Sequence, residues 1–364
     1  MPLFAYLCRK SKLKNIVARK RHQYPLIEGL EITTLAAEGK SLGRWNDQVV
    51  FVPMTVPGDV VDVQIRNKRR RYMEGYVVRY QKFSEMRCEP FCQHFGVCGG
   101  CKWQNLPYDE QLRLKQSQVE DQLTRIGKIG LPAISPILGS KKTQLYRNKL
   151  EFTFTPRRWL TQEEVASGAE LDASPALGFH IPTMFDKVLD IEKCWLQPAP
   201  SYAIRLATTR FCLEHGYEFY NVREHSGFMR NMIIRTASTG EVMVIVIFAY
   251  RDEERISALL DHLCEQFPEI TSMIYMINEK LNDSTGDLEP ITYRGNGHIF
   301  EQMEGLRFKV GPKSFYQTNS EQAYELYKVA REAADLKEGE VLYDLYTGTG
   351  TIANFCAARC AKVV

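Results

Sequence analysis

Cys92, Cys98 and Cys101 have the clearest chemical potential in this chain, within the run Phe91-Cys92-Gln93-His94-Phe95-Gly96-Val97-Cys98-Gly99-Gly100-Cys101. Their C-x5-C-x2-C spacing lies in a glycine-bearing loop, and glycine lets a backbone turn tightly around a small inorganic centre. Free thiols this close together oxidise or misligate, so metal ligation is favoured over coincidental buried cysteines. Structural zinc and iron–sulfur clusters mostly take four protein ligands, so a fourth is expected from elsewhere. Cys194, in Leu189-Asp190-Ile191-Glu192-Lys193-Cys194-Trp195, is the candidate. Spacing alone leaves iron and zinc both open. Cys88 reads as a spare thiol beside the loop.

A second constellation closes the chain. Val341-Leu342-Tyr343-Asp344-Leu345-Tyr346 reads as an apolar strand, Thr347-Gly348-Thr349-Gly350-Thr351 as a glycine turn, and Ile352–Arg359 as the start of a helix. Strand, glycine turn and helix together suit a nucleotide-type ligand, because bare backbone can approach it closely. A lone G-x-G is also what a tight strand–helix turn requires, so its weight comes from its context. Lys362-Val363-Val364 reads as the beginning of a further strand. Since doubly wound sheets commonly have five or more strands, the expectation is a chain cut inside its last domain.

Other segments must hold these groups in place. Residues 23–85 are dense in short β patterns: Leu30–Leu35, Val49–Pro53, Val60–Ile65 and Tyr72–Val77, separated by turns such as Val56-Pro57-Gly58-Asp59. Several short strands in this length suggest a small OB-type barrel, a common nucleic-acid scaffold. One turn of it carries Arg66, Lys68, Arg69, Arg70, Arg71 and Tyr72. An isolated basic run is often a solvated hairpin tip; on an OB-like barrel it is better placed to track phosphates. Leu106 to Ile129 has helical periodicity, with Leu112, Val119, Leu123 and Ile126 on one face. Residues 131–310 read as α+β, including strands at Lys149–Phe154, Met232–Thr236 and Val242–Ile247 and a helix at Glu253–Gln266. No internal repeat or low-complexity segment is present.

The chain has 364 residues, 44% hydrophobic and 25% charged, which allows two or three domains and a sizeable core. No apolar run approaches the length of about 18 residues that a membrane span needs. Ten irregularly spaced cysteines suit a reducing cytoplasm better than a disulfide framework. A net charge of +3 does not imply nucleic acid by itself. Met1 to His22 hold seven Lys/Arg and no acid, but lack the apolar core and cleavage site of a secretory signal. They read as a basic tail. Val17-Ala18-Arg19-Lys20-Arg21-His22 also resembles a natural start from an alternative valine codon, which would make the preceding residues an annotation extension.

Taken in order, these segments resemble the S-adenosylmethionine-dependent RNA uracil-5-methyltransferases, specifically the iron–sulfur branch acting on 23S ribosomal RNA. The resemblance runs from about His22 to Val364. Residues 23–85 are similar to a TRAM RNA-binding domain. Cys92, Cys98, Cys101 and Cys194 resemble that branch's [4Fe-4S] site, and Tyr146–Phe154 resembles a strand of its central domain. Phe308-Lys309-Val310-Gly311-Pro312-Lys313-Ser314-Phe315-Tyr316-Gln317-Thr318-Asn319 resembles the entry to its methyltransferase domain. Leu342–Gly350 resembles its methyl-donor loop. The motifs are individually of moderate specificity; their joint order is highly specific.

The resemblance implies a multidomain β and α/β protein: tail 1–22, barrel 23–85, iron–sulfur central domain 86–105 and 131–310, and Rossmann-like methyltransferase domain 106–130 and 311–364. It implies that Gln317 and Tyr346 contact S-adenosylmethionine, that Asp344, Gly348 and Gly350 shape its loop, and that Thr351 stands where the family commonly uses asparagine toward the donor. Thr347 departs from a common cysteine. Phe315 is a candidate to stack on a flipped uracil, although a core aromatic under the sheet is the competing assignment. Arg69, Arg70 and Arg71, then Arg147 and Lys149, are the candidate RNA contacts. The implied protein is a cytoplasmic monomer that acts on 23S RNA without a membrane.

The implied chemistry is addition of a cysteine thiolate to uracil C6, methyl transfer to C5, and removal of the C5 proton by a glutamate. The resemblance places that cysteine and glutamate beyond Val364, so no catalytic residue is assigned and the chain as given is expected to be inactive. Cys356 and Cys360 lie in no comparable motif. Two rival classes remain: a non-catalytic RNA-binding module with a metal-stabilised domain, which would leave Gln317 and Tyr346 idle, and a radical methylthiotransferase. The latter needs C-x3-C-x2-C, and Phe95 occupies the required third position after Cys88 and Cys92. A zinc ribbon needs two C-x2-C pairs, and Cys98/Cys101 supplies one.

Overall fold

Short β-branched strands that alternate inward and outward faces can close on themselves and so remove their exposed edges. The N-terminal segment does this in the computed structural model, which describes residues 24–168 and 173–364. Strands β1 (Leu26–Leu35), β2 (Lys40–Trp45), β3 (Gln48–Pro53), β4 (Val60–Lys68) and β5 (Tyr72–Lys82) form a closed barrel in the order β1-β2-β3-β5-β4. Closure comes from a parallel pairing of β3 with β5, Val49 opposite Tyr72. Ile27, Ile32, Val50, Val61, Val63 and Met73 fill the interior. The sequence reading misses β2, whose Lys40-Ser41-Leu42-Gly43-Arg44-Trp45 is too polar to read as a strand without its partners. The basic tail and the Val17 start lie outside the described residues.

The barrel, as far as Met86, and residues 87–364 form two compact units. The second is built on a seven-stranded sheet in the order β12-β11-β10-β9-β6-β7-β8. Its strands are β6 (Lys149–Thr155), β7 (Ala176–Ile181), β8 (Met184–Asp190), β9 (Met229–Thr236), β10 (Val242–Phe248), β11 (Ile270–Ile277) and β12 (Ile291–Gly295). Pairing is antiparallel except between β10 and β11. Helix α1 (Tyr108–Asp121) precedes the sheet, and a short α2 (Gln162–Ala166) lies within it. Helices α3 (Ser201–Glu214) and α4 (Glu253–Gln266) cover one face. A hairpin of β13 (Ile299–Met303) and β14 (Leu306–Val310) covers the other, with α5 (Ser320–Ala334). Strand β10 is therefore buried on both sides: Val242, Val244, Val246 and Phe248 meet α3 and α4, while Met243, Ile245 and Ile247 meet the hairpin and α5. This is why it reads as a continuous apolar run.

The chain ends in a small βαβ unit. Strands β15 (Val341–Leu342) and β16 (Lys362–Val363) pair in parallel, and α6 (Thr351–Cys356) connects them with one further turn at Ala357–Arg359. The expected further strand at Lys362 is present. The expected strand through Tyr346 stops at Leu342, because Leu345 and Tyr346, 80% and 97% exposed, gain no apolar cover. Helix α1 also differs from its reading. Leu114 is its buried residue, while Val119 and Ile126 face solvent, and the helix gives way to a wider turn at Gln122–Ile126. Periodicity identified the helix but not the face that its neighbours cover.

Candidate functional site

Cys92, Cys98, Cys101 and Cys194 all line one cavity of about 380 Å³. Local turns fold the cysteine loop: the amides of Phe95 and Cys98 donate to Cys92 O and His94 O at 2.9 Å each. Gly99 permits the closest approach, since a Cβ there would stand 2.6 Å from His180 O. The Cys92 amide donates to Gln104 Oε1 at 3.2 Å, and the Gly100 amide points at Cys98 Sγ at 3.4 Å.

Cys194 reaches the same cavity through two ties that sequence reasoning missed. The Glu192 amide donates to His94 Nε2 at 2.9 Å, joining the loop directly to the Cys194 segment. Arg205, fully buried on α3, donates to the carbonyls of Leu177, Ile191 and Glu192. The only signal for Arg205 was its place on the face shared by Ser201, Thr208 and Cys212, where an arginine must find acceptors.

Burial pushes the Cys98 and Cys101 thiols up and the Cys194 thiol up to about 11, so without a cation these groups stay protonated at neutral pH. Among the described residues, no three His, Cys, Asp or Glu side chains stand close enough together to hold a metal ion. Arg147 and Lys149 line the cavity too, half-buried, rather than standing out in water as a charged strand would. Burial lowers the Lys149 pKa. Cys88, half-buried, donates its thiol to Gln104 O at 3.4 Å.

The second constellation is anchored on the core under the hairpin. Tyr316, 6% exposed, and Phe355 of α6 belong to one apolar cluster with Phe308, Val310 and Tyr327. Arg235 Nη2 donates to Ser314 O at 2.8 Å, and Asn148 Nδ2 to Gln317 O and Ser320 Oγ at 2.8 Å each. These clamps hold the backbone that presents Phe315 and Gln317. Phe315 is 72% exposed, so the core-aromatic assignment is wrong for it: Tyr316 takes that role, and Phe315 projects outward.

Asp344 supports the glycine turn from within. Its Oδ2 accepts from the Ala353 amide at 3.2 Å, and its own amide donates to Val364 O at 2.8 Å. Gly348 and Gly350 have φ of +54° and +71°, which L side chains adopt at a cost. A Cβ on Gly350 would also stand 2.9 Å from Asn354 Nδ2, whereas beside Gly348 the nearest atom is Tyr346 O at 4.0 Å. Thr351 Oγ1 is 2.8 Å from Thr349 Oγ1. The loop therefore has an open surface at Gly348 and an exposed ring at Tyr346. Cys356 is 3% exposed, burial pushes its thiol up, and the Cys360 thiol points at backbone carbonyls, so neither presents a nucleophile.

In the barrel, Arg69, Arg70 and Arg71 are all exposed at the β4–β5 hairpin tip. The Arg69 amide donates to Tyr72 O at 2.8 Å, and Gln48 Nε2 holds Arg70 O at 3.0 Å. Tyr72 and Tyr76 stand on the outer face of β5, Arg66 lying 5.5 Å from the Tyr76 ring centre. Cations beside exposed aromatic faces are the combination that single-stranded nucleic acid uses.

The TRAM domain family model matches residues 27–78, the barrel. A Bacteroides thetaiotaomicron protein described as an uncharacterized RNA methyltransferase is 59% identical over 333 residues, covering 91% of this chain and 73% of the relative. A Porphyromonas gingivalis protein of the same description is 52% identical over 341 residues, covering 92% and 73%. Among solved structures, the Pyrococcus abyssi tRNA (uracil-54, C5)-methyltransferase in complex with S-adenosyl-L-homocysteine matches with a TM-score of 0.66 at 23% identity, covering 91% of this chain and 71% of that one. No helix among the described residues is long and apolar enough to cross a membrane.

Proposed function

Since this chain belongs to the RNA methyltransferases and carries a TRAM domain, we propose that it serves S-adenosylmethionine-dependent methylation of uracil C5 in 23S ribosomal RNA. The observation that carries the methyl-transfer reading is the β15–glycine turn–α6–β16 unit, fixed to the same core as the Phe315–Gln317 segment. A pure RNA-binding module has no use for that unit. The fold likeness to a uracil C5 methyltransferase supports the choice of uracil.

The donor fits the residues present: an open backbone at Gly348, a ring at Tyr346 free to contact it, and an Asp344 carboxylate that keeps the turn in shape. S-adenosylmethionine supplies the electrophilic methyl group when bound. Gln317 and Thr351 are assigned to polar contacts with it, and Phe315, already outside the core, to stacking on the extruded base. Arg69, Arg70 and Arg71 are assigned to phosphates. We place the protein in the cytoplasm as a monomer.

We assign the four cysteines that line this one cavity to the [4Fe-4S] cluster that the sequence resemblance implies, their thiol donor set being the support for it. Lys149 then faces the cluster's negative charge, which moves it from RNA contact to charge compensation, while Arg147, which also lines the cavity on the other side of the cysteine loop, is kept as an RNA contact. Two measurements test these assignments. Anaerobically purified protein should contain close to four irons and four sulfides per chain; zinc without sulfide would refute the cluster. Deleting the gene should remove 5-methyluridine from the host's 23S RNA and leave its tRNA unchanged; loss from tRNA instead would refute the ribosomal substrate.

A further inference from the structure

On the far side of the cysteine loop lies a larger cavity of about 620 Å³, within the range of sites that accept a nucleotide-sized ligand. The run Gly100–Gln104 contributes to both cavities, so the loop is a wall between them. The second cavity is a cleft between that wall, helix α1, and the segment that leads into β6. Its lining combines Lys102, Lys115 and Arg147 with the rings of Trp103, Tyr108 and Tyr146.

The charge balance of this cleft is one-sided. Glu89 is its sole acidic lining residue among the described residues. A fourth cation on the wall, Lys142, is already paired with Glu321. Lys102, Lys115 and Arg147 form no ion pair with any described carboxylate. Three unneutralised cations in one concave surface raise the local concentration of an anion.

The aromatic groups decide which anion. Lys115 Nζ stands 5.5 Å from the Trp103 ring centre, and the Tyr108 ring is fixed by the Ser140 amide donating to its hydroxyl at 2.7 Å. A free phosphate or an acidic peptide has no use for such faces. A single-stranded polynucleotide uses both, placing phosphates on the cations and unstacked bases on the rings.

We propose that this cleft is a second RNA-binding site, distinct from the barrel hairpin, which takes one or two unpaired nucleotides of the substrate. The inference rests on the RNA reading above. It also explains what the cysteine centre is for, since that centre fixes the inner side of a wall whose outer side meets RNA.

The test uses the full chain and a fluorescent ten-nucleotide oligouridine at low salt. Charge reversal of the two lysines, Lys102→Glu with Lys115→Glu, should weaken binding at least about tenfold, since two phosphate contacts become repulsive. Trp103→Phe with Tyr108→Leu should weaken it by about fivefold or more through lost stacking. An unchanged thermal midpoint checks that the charge-reversed chain is folded. With 4-thiouridine in the oligonucleotide, photocrosslinks should map to the peptide around Trp103 and Tyr108 as well as to the barrel. Undiminished affinity in the charge-reversed protein, or crosslinks confined to the barrel, would overturn the site while leaving the RNA reading intact. Failure of the unaltered chain to bind the oligonucleotide would overturn that reading itself.

Discussion

Two residues show how much of this protein is set by single side chains against their surroundings. Arg205 has no solvent to return to, and its guanidinium satisfies the carbonyls of Ile191 and Glu192 in the Cys194 turn and that of Leu177 on β7. Arg205→Met should cost about 3 kcal/mol or more, because buried carbonyls lose their donor while the stem still packs. Urea denaturation would measure it, and a loss below about 1 kcal/mol would show that water replaces the guanidinium. Asp186 offers a pH test. The hydrogen bond from Arg223 holds its carboxyl at about 2, helped by Lys187 against the opposing effect of burial. The folded pKa lies below the unfolded value of about 3.9. Its stabilisation is therefore fully present above about pH 4 and is lost as the pH falls toward 2. The gap in thermal midpoint between the wild type and Asp186→Asn should be constant from pH 7 to 5 and shrink markedly by pH 2.5, closing only below the folded pKa. A gap that is undiminished at pH 2.5 would mean that the pair acts through packing instead.

At the scale of elements, the β4–β5 hairpin does its work by extending three arginines beyond the barrel. The Arg69 amide and Gln48 fix its backbone, so the charges are presented on a stiff tip. Each phosphate neutralised contributes about 0.9 to the slope of log affinity against log salt on duplex and about 0.7 on single strands. Replacing Arg69, Arg70 and Arg71 with alanine should therefore reduce the slope by about two to three, read from binding titrations across salt concentrations. An unchanged slope would make the hairpin an idle solvated loop. The glycine turn follows a different logic. Positive φ at Gly348 and Gly350 is needed to bring α6 back over β15, so the turn alone explains the glycines, and the proposed donor would use the opening they leave.

Across the whole molecule, one long-range connection runs between the cysteine loop and Cys194, joined through His94, Glu192 and Arg205. If a cluster bridges them, Cys194→Ser should lower bound iron and sulfide together and reduce the thermal midpoint of residues 87–364, because metal binding and folding share one free energy. Normal iron content in that variant would remove Cys194 from the ligand set. The barrel forms its own compact unit, and the variant should leave its circular-dichroism β signal unchanged.

Local chemistry was legible from the residues. The barrel strands other than β2, together with β6, β9, β10 and α4, follow from apolar period and turn residues, and the strand–turn–helix–strand order at the end follows from two glycines between apolar runs. The sequence also determined the family, through the order of its segments. Tertiary contact decided the rest, since exposure depends on what covers a face and periodicity does not report that. Adjacent aromatics Phe315 and Tyr316 look alike in the chain, but the hairpin core takes Tyr316 and leaves Phe315 outside. Arg147 and Lys149 look like solvated strand charges until the cysteine loop closes over them. The cleft behind that loop has no sequence signature, because its cations and rings come from segments that meet only when the second unit folds.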